Sequence, residues 1–295
     1  MKFPRIAIIG IGLIGASFAL ALKRAEVVGE VIGIDTDTYA LEQAQKRGAI
    51  DRIGVMADAR DVDLVLLAIP VRQTAAALAA LRAHLSARTV VMDAGSTKQD
   101  VIAAARASLG AQVNQFVPAH PIAGRELHGP LAAEVDLFTD KRVVITPLAE
   151  STEAAITLAT AAWVACGSRV VTMPAATHDA VFAAVSHLPH MLAFALVDEL
   201  ASRPNAKLLF EHAASGFRDF TRIASSSPAM WRDVALNNRE ALLAELDRYT
   251  TRIAALRDAL AAEDGAKLFS LMQRSQTARE RWMSGQLDHF QDESA

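Results

Sequence analysis

Short apolar runs alternate with longer segments rich in alanine and leucine in the first part of the chain, up to about residue 172. The runs have the length of buried strands, and the segments between them have the length of helices. The predicted strands are Ile6–Ile9, Val31–Ile34, Leu64–Ala68, Val90–Asp93, Gln115–Pro118, Arg142–Thr146 and Arg169–Thr172. Helical segments such as Thr74–Leu85 and Glu153–Val164 separate most of them. This alternation predicts a mostly parallel sheet covered by helices on both faces.

After residue 172 the strand pattern stops, and helical segments follow almost without interruption. The predicted helices are Ala176–Leu200, Ala206–Ala214, Pro228–Leu260 and Ala266–Gln286. We therefore predict two domains. An α/β domain covers residues 1–172, and an all-α domain covers residues 173–295.

One of these helices carries a regular apolar seam. Its large apolar residues follow alternating steps of four and three, at Leu242, Leu246, Tyr249, Ile253, Leu256 and Leu260. This spacing is typical of a helix that packs along a partner helix. The partner belongs either to the same chain or to a second copy. An all-helical half beside an α/β half favours the second copy, and thus a homodimer.

Composition restricts the class of partner and the compartment. Of the 295 residues, 21% are charged, and the formal net charge is −3. Because there is no basic surplus, nucleic acid and anionic membranes are not expected as partners. The single cysteine, Cys166, excludes an internal disulfide and fits a reducing compartment. The sequence shows neither a signal peptide nor an uninterrupted apolar run that would span a membrane, so we expect a cytoplasmic protein.

A glycine-rich loop follows the first predicted strand. Residues 10–15 read GIGLIG, which gives Gly10, Gly12 and Gly15 the spacing G-x-G-x-x-G between a strand and a helix. In dinucleotide-binding units the first glycine makes a tight turn, the second lets the backbone approach the pyrophosphate, and the third packs helix on strand. The N–H groups of the first helical turn, which contains Leu13 and Ile14, favour phosphate. The sequence therefore predicts a Rossmann-type dinucleotide-binding domain.

The acidic residue expected in such a domain is present. The second predicted strand ends at Asp35, twenty residues after Gly15. A carboxylate at this position accepts hydrogen bonds from the hydroxyl groups of the adenine ribose. It also repels a 2′-phosphate, and residues 36–38 include no arginine that would bind one. These features predict NAD as the cofactor in preference to NADP.

Two polar segments follow predicted strands, at the sheet edge where open parallel sheets bind ligands. Residues 93–98 read DAGSTK and include Ser96, and residues 119–126 read AHPIAGRE and include His120. Pro121 favours extended backbone at His120, which is therefore expected at a strand end. A neutral imidazole there can accept the proton of an alcohol that is being oxidised, and Ser96 can orient that proton. The alternative for His120 is a loop histidine that is hydrogen-bonded to the backbone.

The helical half contains a second group of polar residues. His187 and His190 are three residues apart, a spacing that differs from the i,i+4 pair of zinc-protease helices, and no third ligand is evident. No metal site is therefore expected. Arg218 and Arg222 form an i,i+4 pair between aromatic residues. This pair is either a solvated basic face or a fork that binds substrate carboxylates.

With these segments the sequence resembles the prephenate/arogenate dehydrogenase family of tyrosine biosynthesis. The resemblance is carried by GIGLIG at 10–15, DAGSTK at 93–98, HPIAGRE at 120–126, VITP at 144–147, HDAVFAAVSHLPH at 178–190 and GFRDFTRIASSSPAMWRD at 216–233. It implies an NAD-binding domain followed by a helical domain that forms a homodimer. It also implies oxidative decarboxylation of prephenate to 4-hydroxyphenylpyruvate, or of arogenate to tyrosine.

The resemblance implies roles for individual residues as well. His120 corresponds to the family's catalytic histidine, which hydrogen-bonds the substrate 4-hydroxyl group, and Ser96 corresponds to the serine that assists it. Arg222 corresponds to the arginine that binds a substrate carboxylate. His190 and Glu126 correspond to residues that line the substrate pocket.

Three alternatives to a prephenate dehydrogenase stay open at this point. The first is an arogenate-specific dehydrogenase. The second is a β-hydroxyacid dehydrogenase, which uses a lysine on the first long helix of its helical domain, whereas Ala176–Leu200 contains no lysine. The third is a non-enzymatic NAD-sensing module, which would keep the glycine loop but would not need His120, Ser96 and Arg222 together.

Overall fold

The computed structural model describes residues 1–125 and 127–287. Within these residues, a six-stranded parallel sheet has the strand order β3-β2-β1-β4-β5-β6. Its strands are β1 (Phe3–Ile9), β2 (Val28–Ile34), β3 (Arg52–Ile53), β4 (Leu64–Leu67), β5 (Val90–Asp93) and β6 (Phe116–Val117). The strand order reverses between β1 and β4, and open α/β sheets bind their ligands at such a reversal.

A smaller sheet follows along the chain. It consists of β7 (Ala119–Pro121), β8 (Arg142–Ile145) and β9 (Arg169–Thr172). β7 runs antiparallel to β8, with His120 opposite Val144, and β8 runs parallel to β9.

Helices connect the strands and make up most of the chain after β9. The α-helices are α1 (Leu13–Arg24), α2 (Thr38–Lys46), α3 (Thr74–Arg82), α4 (Gln99–Leu109), α5 (Glu153–Ala165), α6 (Ala175–Phe182), α7 (Leu188–Ala201), α8 (Ala206–Glu211), α9 (Ser215–Thr221), α10 (Pro228–Asn237), α11 (Arg239–Ala261) and α12 (Gly265–Met283). A π-helical turn, Ala183–His187, joins α6 to α7. Short 3₁₀ helices lie at Met56–Asp61, Val71–Gln73, Gly110–Gln115, Pro130–Ala132 and Arg222–Ser225.

The six-stranded sheet is buried on both faces. In β1, Ile6 and Ile8 belong to one apolar cluster, whereas Ala7 and Ile9 belong to another. β4 divides its side chains between the same two clusters. A strand that is covered on both faces needs apolar residues at every position, which is why these strands read as continuous apolar runs.

Two of the differences between the structure and the sequence prediction affect the region around His120. The predicted strand Gln115–Pro118 ends at Val117, and the chain then forms a second sheet in place of one continuous sheet. Pro118 interrupts the strand because proline has no N–H to donate to a neighbour. The predicted helix Pro228–Leu260 is broken at Asn238, which leaves helical geometry at φ −109° and ψ 32°. The Asn238 side chain instead donates to the main-chain oxygen of Asp179 at 2.8 Å.

The chain divides into a compact unit at residues 1–242 and a second unit at residues 243–295. The first contains both sheets and helices α1–α10. Of the predicted seam of α11, Leu242 lies in the first unit and is 5% exposed, whereas in the second unit Tyr249 is 36%, Ile253 46% and Leu260 58% exposed in the single chain. The predicted domain boundary between residues 172 and 173 stays a prediction.

Residues 175–201, which comprise α6, the π-helical turn and α7, are long and apolar enough to cross a membrane by length and composition alone. The core helix of a soluble protein passes the same test. This stretch includes the buried polar residues His178, Asp179 and His187. The sequence analysis expected no apolar run of this length, and by length and composition alone this stretch does not bear that expectation out.

A buried ion pair links the two sheets. Lys98, which is 0% exposed, donates from Nζ to the carboxylate of Asp93 at the end of β5 and to the carbonyl oxygen of Ala119 at 2.8 Å. Asp93 also accepts the main-chain N–H of Ala119, at 3.0 Å, and that of Gly95, at 2.8 Å. Both main-chain groups of Ala119, the first residue of β7, are therefore bound by side chains from the end of β5 and the loop after it.

We predict that Lys98→Met lowers the free energy of unfolding by about 3–5 kcal/mol, because it leaves the Asp93 carboxylate buried without its counter-ion. Equilibrium unfolding in urea measures the change. The control is Lys207→Met. The Lys207 side chain is 89% exposed, so this substitution should lower the free energy of unfolding by less than about 0.5 kcal/mol. A loss below about 1 kcal/mol for Lys98→Met would contradict a stabilising role for the pair.

Candidate active site and cofactor site

The loop between β1 and α1 has the geometry that its glycines predict. Gly10 has a φ of +95°, and a Cβ atom there would lie 2.4 Å from the carbonyl oxygen of Ala68. A Cβ atom on Gly15 would lie 2.1 Å from the carbonyl oxygen of Gly10. Beside Gly12, in contrast, no described atom lies within 4 Å of such a Cβ. Strand and helix thus approach closely on one side, while the start of α1 is open on the other.

A cleft of about 470 Å³ lies beside this loop. It is lined by Ile11, Gly12, Asp35, Asp37, Tyr39, Ala40, Gln43, His128, Gly129, Pro130 and Leu131. The Asp35 carboxylate accepts the N–H of Ile11 at 2.7 Å and that of Asp37 at 3.0 Å. Each carboxylate oxygen has a further lone pair, so Asp35 can also accept from ribose hydroxyl groups. The cleft, the open Gly12 and the ionisable Asp35 fit the adenosine half of a dinucleotide.

A chain of hydrogen bonds leads from His120, in β7, into α6. His120 Nδ1 lies 2.8 Å from His178 Nε2, and His178 Nδ1 lies 2.8 Å from Asp179 Oδ1. The carboxylate of Asp179 also accepts the main-chain N–H groups of Lys98 and Gln99, each at 2.9 Å, where α4 begins. His178 and Asp179 are almost completely buried. Because Nδ1 of His120 is bonded to His178, Nε2 is the ring nitrogen that could contact a ligand.

Burial determines the protonation of this chain. It lowers the pKa of His120 well below its usual value, and the nearby His178, Lys98 and His187 lower it further. Burial likewise lowers the pKa of His178. Burial opposes the charge on Asp179, but hydrogen bonds from His178 and from the main chain outweigh it and lower the pKa of that carboxyl. At neutral pH both imidazoles are therefore neutral and Asp179 is ionised.

A second pair of histidines lies beside the first. His187 Nδ1 is 3.1 Å from the side-chain nitrogen of Asn238, and the main chain of Ser96 lies next to the His187 ring. The His190 ring stacks on Trp231, with centroids 3.5 Å apart. Burial lowers the pKa of His187 and that of His190, each to about 4. These rings are neutral at physiological pH.

The structure brings most of the candidate residues to one region. Ser96 lies half-buried in the loop after β5, near His187, and His190 lies half-buried on α7. Arg222 begins the helix Arg222–Ser225 with an exposed side chain, and the main chain of the next residue, Ile223, lies next to the His190 ring. Glu126 lies outside the described residues.

The sequence analysis assigned no role to Lys98, His178, Asp179 or Asn238, which all proved to be buried and hydrogen-bonded around His120 and His187. The available signal was a pair of adjacent polar residues, His178 and Asp179, in an otherwise apolar helix. Among the residues that the structure describes, no group of three or more histidine, cysteine, aspartate or glutamate side chains is arranged to hold a metal ion.

Comparison with known proteins gives consistent matches over nearly the whole chain. Residues 18–172 match the model described as "Prephenate dehydrogenase, nucleotide-binding domain", and residues 174–274 match "Prephenate dehydrogenase, dimerization domain". The cyclohexadienyl dehydrogenase of Zymomonas mobilis is 36% identical over 94% of this chain and 95% of its own. The prephenate dehydrogenase of Bacillus subtilis is 35% identical over 93% of this chain and 75% of its own.

A solved structure agrees with these matches. The prephenate dehydrogenase of Aquifex aeolicus, in complex with hydroxyphenyl propionate and NAD⁺, superposes with a TM-score of 0.89. It is 33% identical in sequence, and the match covers 95% of this chain and 99% of that one.

We predict that acid destabilises the fold between pH 6.5, the ordinary histidine value, and about 4, the lowered value at His187 and His190. In this window the unfolded chain binds protons that the buried neutral rings do not, so stability falls as the pH falls. Calorimetric unfolding from pH 7.5 down to about 4.5 follows the change.

The contribution of one ring is measured by His190→Gln, which should make the dependence on pH shallower in this window. The control is the exposed His212→Gln, which should not change it. If stability changes with pH to the same extent in the two variants, the His190 ring is not held neutral.

Proposed function

The chain belongs to the prephenate dehydrogenase family, and on that premise we propose that it catalyses the NAD-dependent oxidative decarboxylation of prephenate to 4-hydroxyphenylpyruvate in tyrosine biosynthesis. Because the chain belongs to this family, we no longer consider the two other classes, β-hydroxyacid dehydrogenases and NAD-sensing modules. The observation that carries the proposed mechanism is the half-buried, neutral His120, whose Nδ1 is bonded to Nε2 of His178. Its Nε2 is thereby left to accept a proton.

The residues of the first unit fit NAD. The open side of Gly12, at the start of α1, would take the pyrophosphate together with Gly10, Leu13, Ile14 and Gly15, and Asp35 would bind the ribose hydroxyl groups. The similar enzyme from A. aeolicus was solved with NAD⁺. Bound NAD supplies the acceptor for the hydride that leaves the ring carbon bearing the 4-hydroxyl group. The negative charge of Asp35 favours NAD over NADP.

His120 would take the proton of the substrate 4-hydroxyl group on Nε2. Because its lowered pKa keeps the ring neutral at physiological pH, one ring nitrogen has a lone pair, and in the tautomer with the proton on Nδ1 that nitrogen is Nε2. Ser96, in the loop after β5, would orient the hydroxyl group. The ring carboxylate then leaves as carbon dioxide, and the step is strongly favourable because the ring becomes aromatic. The protein's main task is to position the substrate for the first transfer.

We assign Arg222 to a substrate carboxylate and His190 to the wall of the substrate pocket. The support is their proximity, since the residue that follows Arg222 lies next to the His190 ring. An exposed guanidinium can meet a carboxylate with two parallel hydrogen bonds. Glu126, which lies outside the described residues, belongs to the same proposed set. The proposed ligands are NAD and a small-molecule substrate. The enzyme is proposed to act in the cytoplasm.

We also propose that two copies form a homodimer through the helical half. One support is the dimerization-domain model that residues 174–274 match. The other is the α11 seam, which exposes Ile253 and Leu260 in the single chain. Apolar residues in a regular seam gain free energy when a partner helix covers them.

Turnover tests the proposed reaction. With NAD, the purified protein should form NADH from prephenate, and a parallel assay with arogenate decides between the two substrates. His120→Asn should lower kcat roughly 10²–10⁴-fold, because asparagine keeps hydrogen-bonding capacity but cannot take the proton. NAD binding, followed by fluorescence quenching, should stay unchanged.

The control for this variant is His212→Asn, on the exposed end of α8. It should keep wild-type kcat. No NADH from either substrate would overturn the proposed reaction. A His120→Asn variant with kcat within a few-fold of wild type would instead show that another group takes the proton.

Light scattering tests the dimer. The purified protein should have about twice the 31.5 kDa mass of the chain. Ile253→Glu should shift it toward the monomer by placing a charge in the seam, whereas Ile253→Leu should leave the dimer intact. A wild-type monomer at micromolar concentration would refute the dimer, and a dimeric Ile253→Glu variant would refute its placement at the seam.

A further inference from the structure

The proposed reaction needs a lone pair on Nε2 of His120, and a neutral imidazole has one there only when its proton is on Nδ1. In the other tautomer Nε2 carries the proton and can donate a hydrogen bond but cannot accept the substrate proton. In water the two tautomers interconvert freely. Inside the protein, the partner of Nδ1 decides between them.

That partner is another histidine. His120 Nδ1 and His178 Nε2 are 2.8 Å apart, so one of them donates a proton and the other accepts it. Both rings are neutral, because burial lowers the pKa of each. Each ring therefore has one proton to donate, and the direction of this bond depends on where the proton of His178 lies.

Asp179 determines where that proton lies. Its Oδ1 is 2.8 Å from His178 Nδ1, and an ionised carboxylate can only accept. His178 therefore carries its proton on Nδ1, and its Nε2 has the lone pair. The only arrangement that satisfies both bonds places a proton on Nδ1 of His120 and the lone pair on its Nε2.

The carboxylate is firmly held in this orientation. Both of its oxygens accept main-chain N–H groups, from Lys98 and Gln99, at 2.9 Å. These groups open α4, where the helix dipole stabilises negative charge. Asn238 holds the main-chain oxygen of Asp179 at 2.8 Å. Asp179 is 1% exposed, so solvent does not compete for it.

We propose that His178 and Asp179 are positioning residues that set the tautomer of His120, with Asp179 fixing the proton of His178 and His178 fixing that of His120. This inference rests on the proposed role of His120 as the proton acceptor. When Nε2 takes the substrate proton, His120 becomes an imidazolium that still donates from Nδ1 to His178. The negative charge of Asp179, one ring further away, offsets the positive charge that forms.

A purely structural role makes different predictions. In that case the pair would only tie α6 to the start of α4, and its loss would lower stability without a selective effect on kcat. The tautomer of His120 would be independent of His178. The two roles are therefore separated by a direct reading of the tautomer and by a comparison of kcat with KM.

The direct reading is a long-range ¹H–¹⁵N correlation spectrum of the full-length protein labelled with ¹⁵N-histidine. The chain has eight histidines, and the signals of His120 are identified as those that disappear in His120→Asn. We expect the proton of His120 on Nδ1 at pH 7.5. A proton on Nε2 in the wild-type protein would overturn the inference, whatever the activity.

The kinetic test compares two substitutions of His178. Glutamine keeps an oxygen that can accept from His120 Nδ1, whereas phenylalanine keeps a ring but removes the acceptor. His178→Phe should lower kcat roughly 10²–10⁴-fold, with KM for prephenate and Kd for NAD changed by less than about three-fold. His178→Gln should retain roughly a tenth or more of wild-type kcat. Melting temperatures of both variants show how much each loses in stability.

Equal losses of kcat in the two variants, or a His178→Phe variant with nearly full kcat, would contradict the proposed role of His178. The exposed Asp61→Asn is compared with Asp179→Asn, and only the latter should lower kcat. If His178→Phe does not fold, the spectrum of the wild-type protein still decides the question. A fully active His120→Asn variant would refute the proton acceptor instead, and the tautomer would still be read independently.

Discussion

Lys98 has no access to solvent, and a buried ammonium group is tolerated only when a counter-ion and hydrogen-bond acceptors surround it. Asp93 and the carbonyl oxygen of Ala119 meet that requirement. The loop after β5 has to fold back to bring Lys98 to them, and β7 has to start beside the end of β5. The position of His120, the next residue in β7, therefore depends on the ion pair and hydrogen bonds that the buried Lys98 requires.

The same loop also fixes the helical side of the site. The main-chain N–H groups of Lys98 and Gln99 bind the Asp179 carboxylate, which places α6 and its His178 against His120. One short segment thus holds the strand with the proposed base and the helix that contacts it. Burial, together with the charge of Lys98 in this segment, lowers the pKa of His120 and keeps its ring neutral. Stability and proton transfer depend here on the same interactions.

The cofactor cleft is connected to this arrangement through the chain that follows His120. Residues 128–131 line the cleft together with Asp35. Arg47, just after α2, holds this segment by donating to the main-chain oxygens of Pro130 at 3.2 Å and Ala133 at 2.6 Å. The glycine loop provides one wall of the proposed NAD site, and the connection between β7 and β8 provides another. The cleft is therefore complete only when both the glycine loop and the connection between β7 and β8 have folded.

The sequence by itself determined the parts of this protein that depend on local pattern. Continuous apolar runs predicted the buried strands, and the loop 10–15 with Asp35 predicted the nucleotide site, because tight turns and close backbone approach require glycine at fixed spacing. Strand β7 escaped prediction because three residues carry no periodic signal. Only the tertiary structure decided that His120 meets His178, 58 residues away, and that Lys98 meets Asp179, 81 residues away. A pattern records which residues are buried, whereas the partner of a buried polar group is set by contacts between distant segments.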